Sequence, residues 1–189
     1  MTNYTLKFLK EKPGNKYFEL NQTHSNEIKS IREIKQSAKL LNGDGIFWED
    51  KDLNFNDSVA IKTADCLSIL IHNNHSHYLI HAGWKGLRSG ILNKIEYFDE
   101  AIFSPSIQAC CFEVTSEFRE YFPNSSNFFK KNNSLYFDLQ SEAVNQLKKI
   151  SANSKIKTNK KCTYCASENF HSFRRDKTKQ RNYTLVTKL

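Results

Sequence analysis

The chain has 189 residues, 39% of them hydrophobic and 13% aromatic, which excludes disorder and allows a core to form without disulfides or a structural metal. The net charge of +8 favours anionic partners. The basic residues are scattered, however, with short clusters only at Lys160-Lys161 and over 174–181, so no nucleic-acid stripe is expected.

The N-terminal MTNYTLKFLKEKPG has no apolar h-region or small-residue cleavage site, and no run of about 18 apolar residues follows. The expectation is a cytoplasmic protein with no membrane partner, one domain over 1–189, and five reduced cysteines. TLKFL and KYFEL read as short strands separated by the turn KPGN. In EIKSIREIKQSAKLL, Ile28, Ile31 and Ile34 suit a helix, although the first part can extend a strand. GDGIFWED reads as a turn and SVAIKTADC as a strand. LSILIHNNHSHYLIHAG reads as a hairpin. Leu87, Ile91, Ile95 and Phe98 recur at helical spacing over 87–98. SIQACCFEV reads as a buried strand with Cys110 and Cys111 in the core, 115–122 and 138–150 as helices, and SLYFD and NYTLVTK as strands. Strands and helices mix throughout, so the class is α/β or α+β.

The hairpin concentrates the chemistry. A two-residue turn centred on Asn73-Asn74 places Leu70 opposite His77, Ser68 opposite Leu79 and Cys66 opposite His81. Opposed residues share one face of a sheet, roughly 5 Å apart at Cβ. A thiolate and an imidazole at that separation can share a metal or act as nucleophile and base. A slip of one residue would put them on opposite faces. His72, His75 and His77 fall at the turn end, roughly 15 Å from Cys66 at strand rise, and read as a solvated turn. After His81, Gly83 and Gly86 permit a sharp turn into a helix, and Lys85 adds a positive charge beside the pair. A third ligand is His24, in LNQTHSN. Asp65 reads as the acceptor that orients a metal-bound imidazole, or as a structural hydrogen-bond partner.

The ordered set QTHS, TADCLSILIHN, LIHAGWKG, IQACCFEV, CTYC and FHSFRRD resembles the YfiH/YlmD family. Its members have been called laccase-domain multicopper polyphenol oxidases, purine nucleoside phosphorylases and peptidoglycan editing factors. The resemblance implies a four-layer α-β-β-α sandwich and zinc, with copper less favoured, held by His24, Cys66 and His81. It also implies that these three residues form the catalytic centre of a purine nucleoside phosphorylase, with adenosine deamination as a companion activity. The partners implied are a small nucleoside and phosphate. Contributors to an anion site are the turn over 83–86, Lys85 and Arg174 or Arg175. The chain departs from the family pattern at Ser104, Lys85 and Gln180.

The rivals are a cysteine amidase with Cys66 as nucleophile and His81 as base, a copper phenol oxidase, and a basic nucleotide-binding module. Six His and five Cys are too few for a multicopper enzyme when most lie away from the pair. His171 reads as a general acid or a surface residue. Cys162 and Cys165 form a lone CxxC, read as packing before redox or metal roles.

Overall fold

Alternation along the hairpin strands organises the molecule. The computed structural model describes residues 4–189; residues 1–3, the start of the N-terminal stretch read above, lie outside it. In chain order the elements are β1 (Tyr4–Leu9), β2 (Ile28–Ser30), α1 (Ile31–Gln36), β3 (Gly45–Glu49), β4 (Ser58–Thr63), β5 (Leu67–His72), β6 (Ser76–Ala82) and α2 (Trp84–Arg88). They continue with β7 (Glu100–Phe103), β8 (Glu113–Val114), β9 (Phe128–Lys131), β10 (Ser134–Phe137), α3 (Leu139–Ile150), β11 (Lys155–Lys157), α4 (Phe173–Asp176) and β12 (Asn182–Lys188). The fold is mixed α+β. A six-stranded sheet runs β11-β7-β5-β6-β3-β2, and two three-stranded sheets run β1-β12-β4 and β8-β10-β9.

The six-stranded sheet is covered on both faces. Leu67, Ile69 and Ile71 of β5, with Ile80 and Ala82 of β6, join one core with Leu87, Ile91, Phe137 and Leu147. Leu70 and Leu79 point the other way, into a second core with Ile46, Trp48, Val59, Ile61 and Val186. A strand buried on both faces must read as a continuous apolar run, and LSILI does.

Several expected elements change. KYFEL forms only an isolated bridge, Phe18 to Val59, and not a strand. GDGIFWED contains β3, which lies between β6 and β2 because Gly45 admits the close neighbours Ile28 and Ile80. The ambiguous segment resolves into β2 followed by α1, whose N-terminus is closed by a capping box between Ser30 and Glu33. The helix expected over 87–98 breaks at Gly90, whose φ of 77° is left-handed, and resumes as a 3₁₀ turn, Ile91–Lys94. SIQACCFEV is a turn followed by the two-residue β8, which leaves Cys110 exposed and Cys111 half-buried instead of in the core. The segment over 115–122 is 3₁₀, Ser116–Tyr121. α3 forms as expected, capped by Asp138, whose side chain accepts from the Ser141 N–H.

The hairpin closes with a longer turn than expected. The register pairs His72 with His77 and Ser68 with His81, so four residues make the turn. Asn73 organises it by accepting from the N–H groups of His75 and Ser76. The shift is two residues, one full pleat, so parity is preserved. Cys66 therefore stands diagonal to His81 on the same face instead of directly opposite. Nor is the turn-end histidine set simply solvated. His77 is buried, stacks on Trp48 at 5.3 Å and contacts Asp50 at 2.8 Å, while His72 lies 3.4 Å from Glu100. Only His75 of the three is exposed.

Phe137 is fully buried among the rings of Phe112, Phe118, Phe122 and Phe128, with centroids 4.7–6.1 Å away. Phe137→Ala should cost about 3–5 kcal/mol, read as a lowered urea midpoint at unchanged slope.

Candidate metal centre

Three segments meet at one end of the hairpin. Cys66 lies in the bend between β4 and β5, His81 near the end of β6, and His24 in the loop before β2. Their ligand atoms all lie within 4.8 Å of one another, and the two imidazole centroids are 4.8 Å apart. The structure thus brings together the three residues that the sequence singled out.

Asp44, which sequence reasoning passed over as part of a turn, builds this arrangement. It is fully buried at the start of β3. Its carboxylate accepts from the backbone N–H groups of Thr23 (3.1 Å), His24 (3.0 Å) and Ser25 (2.6 Å) and from the Ser25 hydroxyl (2.8 Å). It also meets His81 Nδ1 at 2.7 Å, while the Asp44 carbonyl accepts the His81 N–H. Burial alone would push this carboxyl up, but the hydrogen bonds from His81 and Ser25 outweigh it and hold the group well below the usual carboxylate range. An ionised carboxylate only accepts, so His81 carries a proton on Nδ1 and turns Nε2 toward Cys66. The same contacts hold His24 at a left-handed φ of 61°, a conformation that costs a non-glycine residue about 1–3 kcal/mol. The only sequence signal for Asp44 was a buried-strand pattern immediately after an acidic residue.

Of the two roles open to Asp65 the structure shows the structural hydrogen-bond partner, and the carboxylate that meets the His81 imidazole is that of Asp44. Asp65 instead accepts from the Thr163 hydroxyl at 2.7 Å and the Arg174 N–H at 2.6 Å. It ties the C-terminal segment to the bend that carries Cys66, and it too is left-handed, at φ 87°.

The electrostatics favour an ionised thiol. Burial pushes the Cys66 thiol up, but its hydrogen bonds to His24 and His81 bring it down to about 6. Burial pushes His81 down, and its partners Asp44 and Cys66 raise it to about 9. A metal bound here would displace the Nε2 proton and leave the Nδ1 proton with Asp44.

The residues fit a metal. Two imidazoles and one thiolate suit zinc with an open position, and the set also suits copper. A Cβ on Gly83 would lie 3.1 Å from Cys66 Sγ, 3.5 Å from His81 Nε2 and 3.6 Å from a His24 ring carbon. Glycine leaves that volume open at the point where the ligands converge.

The centre opens into a cleft of about 980 Å³. Lys62, Lys85, Arg174, Lys177, Lys179 and Arg181 line it, with Asp65 as the acidic residue of the wall. Lys62 is paired with Glu19 at 2.6 Å. Trp84, Phe112, Phe173 and Tyr183 supply aromatic surface. The expected Lys85 and Arg174 are both here. Arg174 sits over Phe112, 5.5 Å from the ring centroid, and donates to the Glu113 carbonyl. Arg175 is not part of the lining. Its guanidinium donates to the carbonyls of Thr163, Tyr164 and Phe170 and to Asp176. His171 is also elsewhere, buried, with its N–H donating to Asn182. α2 is only five residues long, so cationic side chains and not a helix terminus dominate the cleft.

Comparison with known proteins follows the same lines. The family described as multi-copper polyphenol oxidoreductase laccase matches residues 4–187. The chain belongs to this family. Among its relatives is a protein of Aquifex aeolicus named purine nucleoside phosphorylase, 36% identical over 173 residues, 87% of this chain and 79% of the relative. Another, of Shigella flexneri, is named purine nucleoside phosphorylase YfiH. It is 33% identical over 141 residues, covering 67% of this chain and 58% of the relative. The crystal structure of YlmD from Geobacillus stearothermophilus superposes with a TM-score of 0.76 at 23% identity, over 91% of this chain and 73% of that one, and establishes the shared fold.

Asp44→Asn should lower metal affinity about 10–100-fold, measured by competition with a chelating dye, because the imidazole loses its orienting anion. Gly83→Ala should abolish metal retention while far-UV circular dichroism stays native. His75→Ala should leave retention unchanged.

Proposed function

We propose that residues 1–189 act as one catalytic domain, a zinc-dependent purine nucleoside phosphorylase with adenosine deaminase activity. The observation that carries the reading is the union of a Cys/His ligand set with a cationic, aromatic-walled cleft, in a chain related to proteins that bear the phosphorylase name. In phosphorolysis a phosphate oxygen bonds to C1′ of the ribose as the bond from C1′ to purine N9 breaks, and the departing base takes up a proton. Products are the free base and ribose 1-phosphate. Each demand has a matching group here.

Phosphate requires positive charge that outweighs the nearby anions. Lys85, Arg174, Lys177, Lys179 and Arg181 line the cleft and supply it. The purine requires flat apolar surface, which Phe112, Trp84 and Tyr183 offer. His24, Cys66 and His81 would hold zinc, which supplies Lewis-acid chemistry in the cleft. Asp44 fixes the tautomer of His81 and keeps the loop around His24 in place. Arg175 supports the wall from behind by holding the backbone over 163–170. The reading places the protein in the cytoplasm; among the described residues no helix is long and apolar enough to cross a membrane.

One observation favours a second reading. Cys66 beside His81 is also the arrangement of a nucleophile and its base, as an amidase would use. Metal content separates the two, because a thiolate bound to zinc is a poor free nucleophile.

The zinc-loaded protein incubated with adenosine should release adenine and ribose 1-phosphate only when phosphate is present, and inosine with or without it. Absence of nucleoside turnover, with hydrolysis of a peptidoglycan precursor instead, overturns the reading. Cys66→Ala should abolish both zinc retention and turnover. Arg174→Ala should raise the KM for phosphate by roughly tenfold or more, the loss of one charge-assisted hydrogen bond.

A further inference from the structure

The four cysteines outside the Cys66 centre lie together. Cys110 and Cys111 occupy the turn after Gln108, and Cys162 and Cys165 the turn after Lys161. The two turns are zipped side by side. Ser106 bridges to Cys162, the Ser106 N–H donates to the Lys161 carbonyl, and the Thr163 N–H donates to the Ser106 carbonyl. All four sulfurs lie within 4.8 Å of one another. Cys110 and Cys111 Sγ are 3.5 Å apart, Cys110 and Cys165 Sγ 3.9 Å, and Cys111 and Cys165 Sγ 3.3 Å. The edge of a tetrahedron of sulfurs around zinc, at a Zn–S bond of about 2.3 Å, is roughly 3.8 Å. Three of the six edges are thus near that length, and the three to Cys162 lie within 4.8 Å.

A second observation points the same way. Cys162 is the buried member, and its sulfur receives the backbone N–H of Gln108 at 3.5 Å, with the N–H groups of Tyr164 and Cys165 also directed at it. A CxxC turn that aims its own amides at the first sulfur stabilises a thiolate there, which is the form that binds metal. Packing alone gives no reason to gather four sulfurs, two of them exposed, around one point.

We propose that Cys110, Cys111, Cys162 and Cys165 form a second, structural zinc site. Four soft ligands from two rigid turns suit a closed tetrahedral site that does no chemistry of its own. Its place in the fold assigns its task. Phe112 follows Cys111 directly and lines the cleft, as does Ile107. Thr163, between the two cysteines of the CxxC, holds Asp65 through its hydroxyl, and Arg175 grips the Thr163 and Tyr164 carbonyls. The ion would clip the Phe112 wall to the segment that supports Cys66 and Arg174.

Zinc content of the purified protein, measured by mass spectrometry of the metal, tests this independently of the first centre. Cys162→Ser/Cys165→Ser should lose about one equivalent relative to wild type, and Cys66→Ala should lose a different one, so that the triple variant retains none. Loss only with Cys66→Ala overturns the proposal; loss only with the double variant supports it and sinks the first centre instead. Wild-type protein needs no variant to fold and gives a second readout. Alkylation of Cys110 and Cys165, followed residue by residue, should be slow in the native protein and accelerate at least tenfold after a chelator is added. Equal rates with and without chelator, a Cys111–Cys165 disulfide in metal-free protein as purified, or iron in place of zinc would each overturn it.

Discussion

The carboxylate of Asp44 is the constraint on which the candidate centre depends. A buried charge is tolerated only when it is fully hydrogen-bonded, and this one gathers three backbone N–H groups, two hydroxyls and an imidazole. Satisfying it draws a loop from before β2 and a strand from the hairpin to the same place. His24 and His81 are brought together because both answer the same anion. His24 answers it through its backbone N–H and His81 through its ring.

Backbone strain is distributed in keeping with that picture. Two non-glycine residues near the centre, His24 and Asp65, are left-handed, and each is locked by hydrogen bonds to a carboxylate. The centre is therefore held from two sides. Asp44 fixes the imidazole side through the core of the large sheet. Asp65 fixes the thiol side through the C-terminal segment, whose basic residues then face the cleft. The segment that supports the thiol side thus also supplies much of the charge in the cleft.

The hairpin was legible in the sequence because two apolar runs around paired asparagines leave few alternatives, and strand parity survived a turn two residues longer than expected. The pairing of Cys66 with His81 depended only on that parity. Asp44 was not legible, because GDG carries the local signature of a turn while the burial that makes it a strand start comes from Ile28 and Ile80, distant in sequence. β7, β9 and β11 were missed for the same reason. Each is four residues or fewer and is specified by its neighbours in the sheet. The apolar reading of SIQACCFEV failed because cysteine counts as a hydrophobe until its partners are known. The backbone around it is turned by Gln108, whose carbonyl accepts from both Cys111 and Phe112. The basic cluster over 174–181 was visible, but which members face inward follows from the anchoring of Arg174 and Arg175 by carbonyls and carboxylates.

β5 belongs to two cores at once, with Leu67, Ile69 and Ile71 on one side and Leu70 on the other, and Cys66 stands at its first residue's doorstep. Neither half of the molecule can loosen without pulling on that strand. Loosening of β5 would accordingly disturb both cores and the bend that carries Cys66 together.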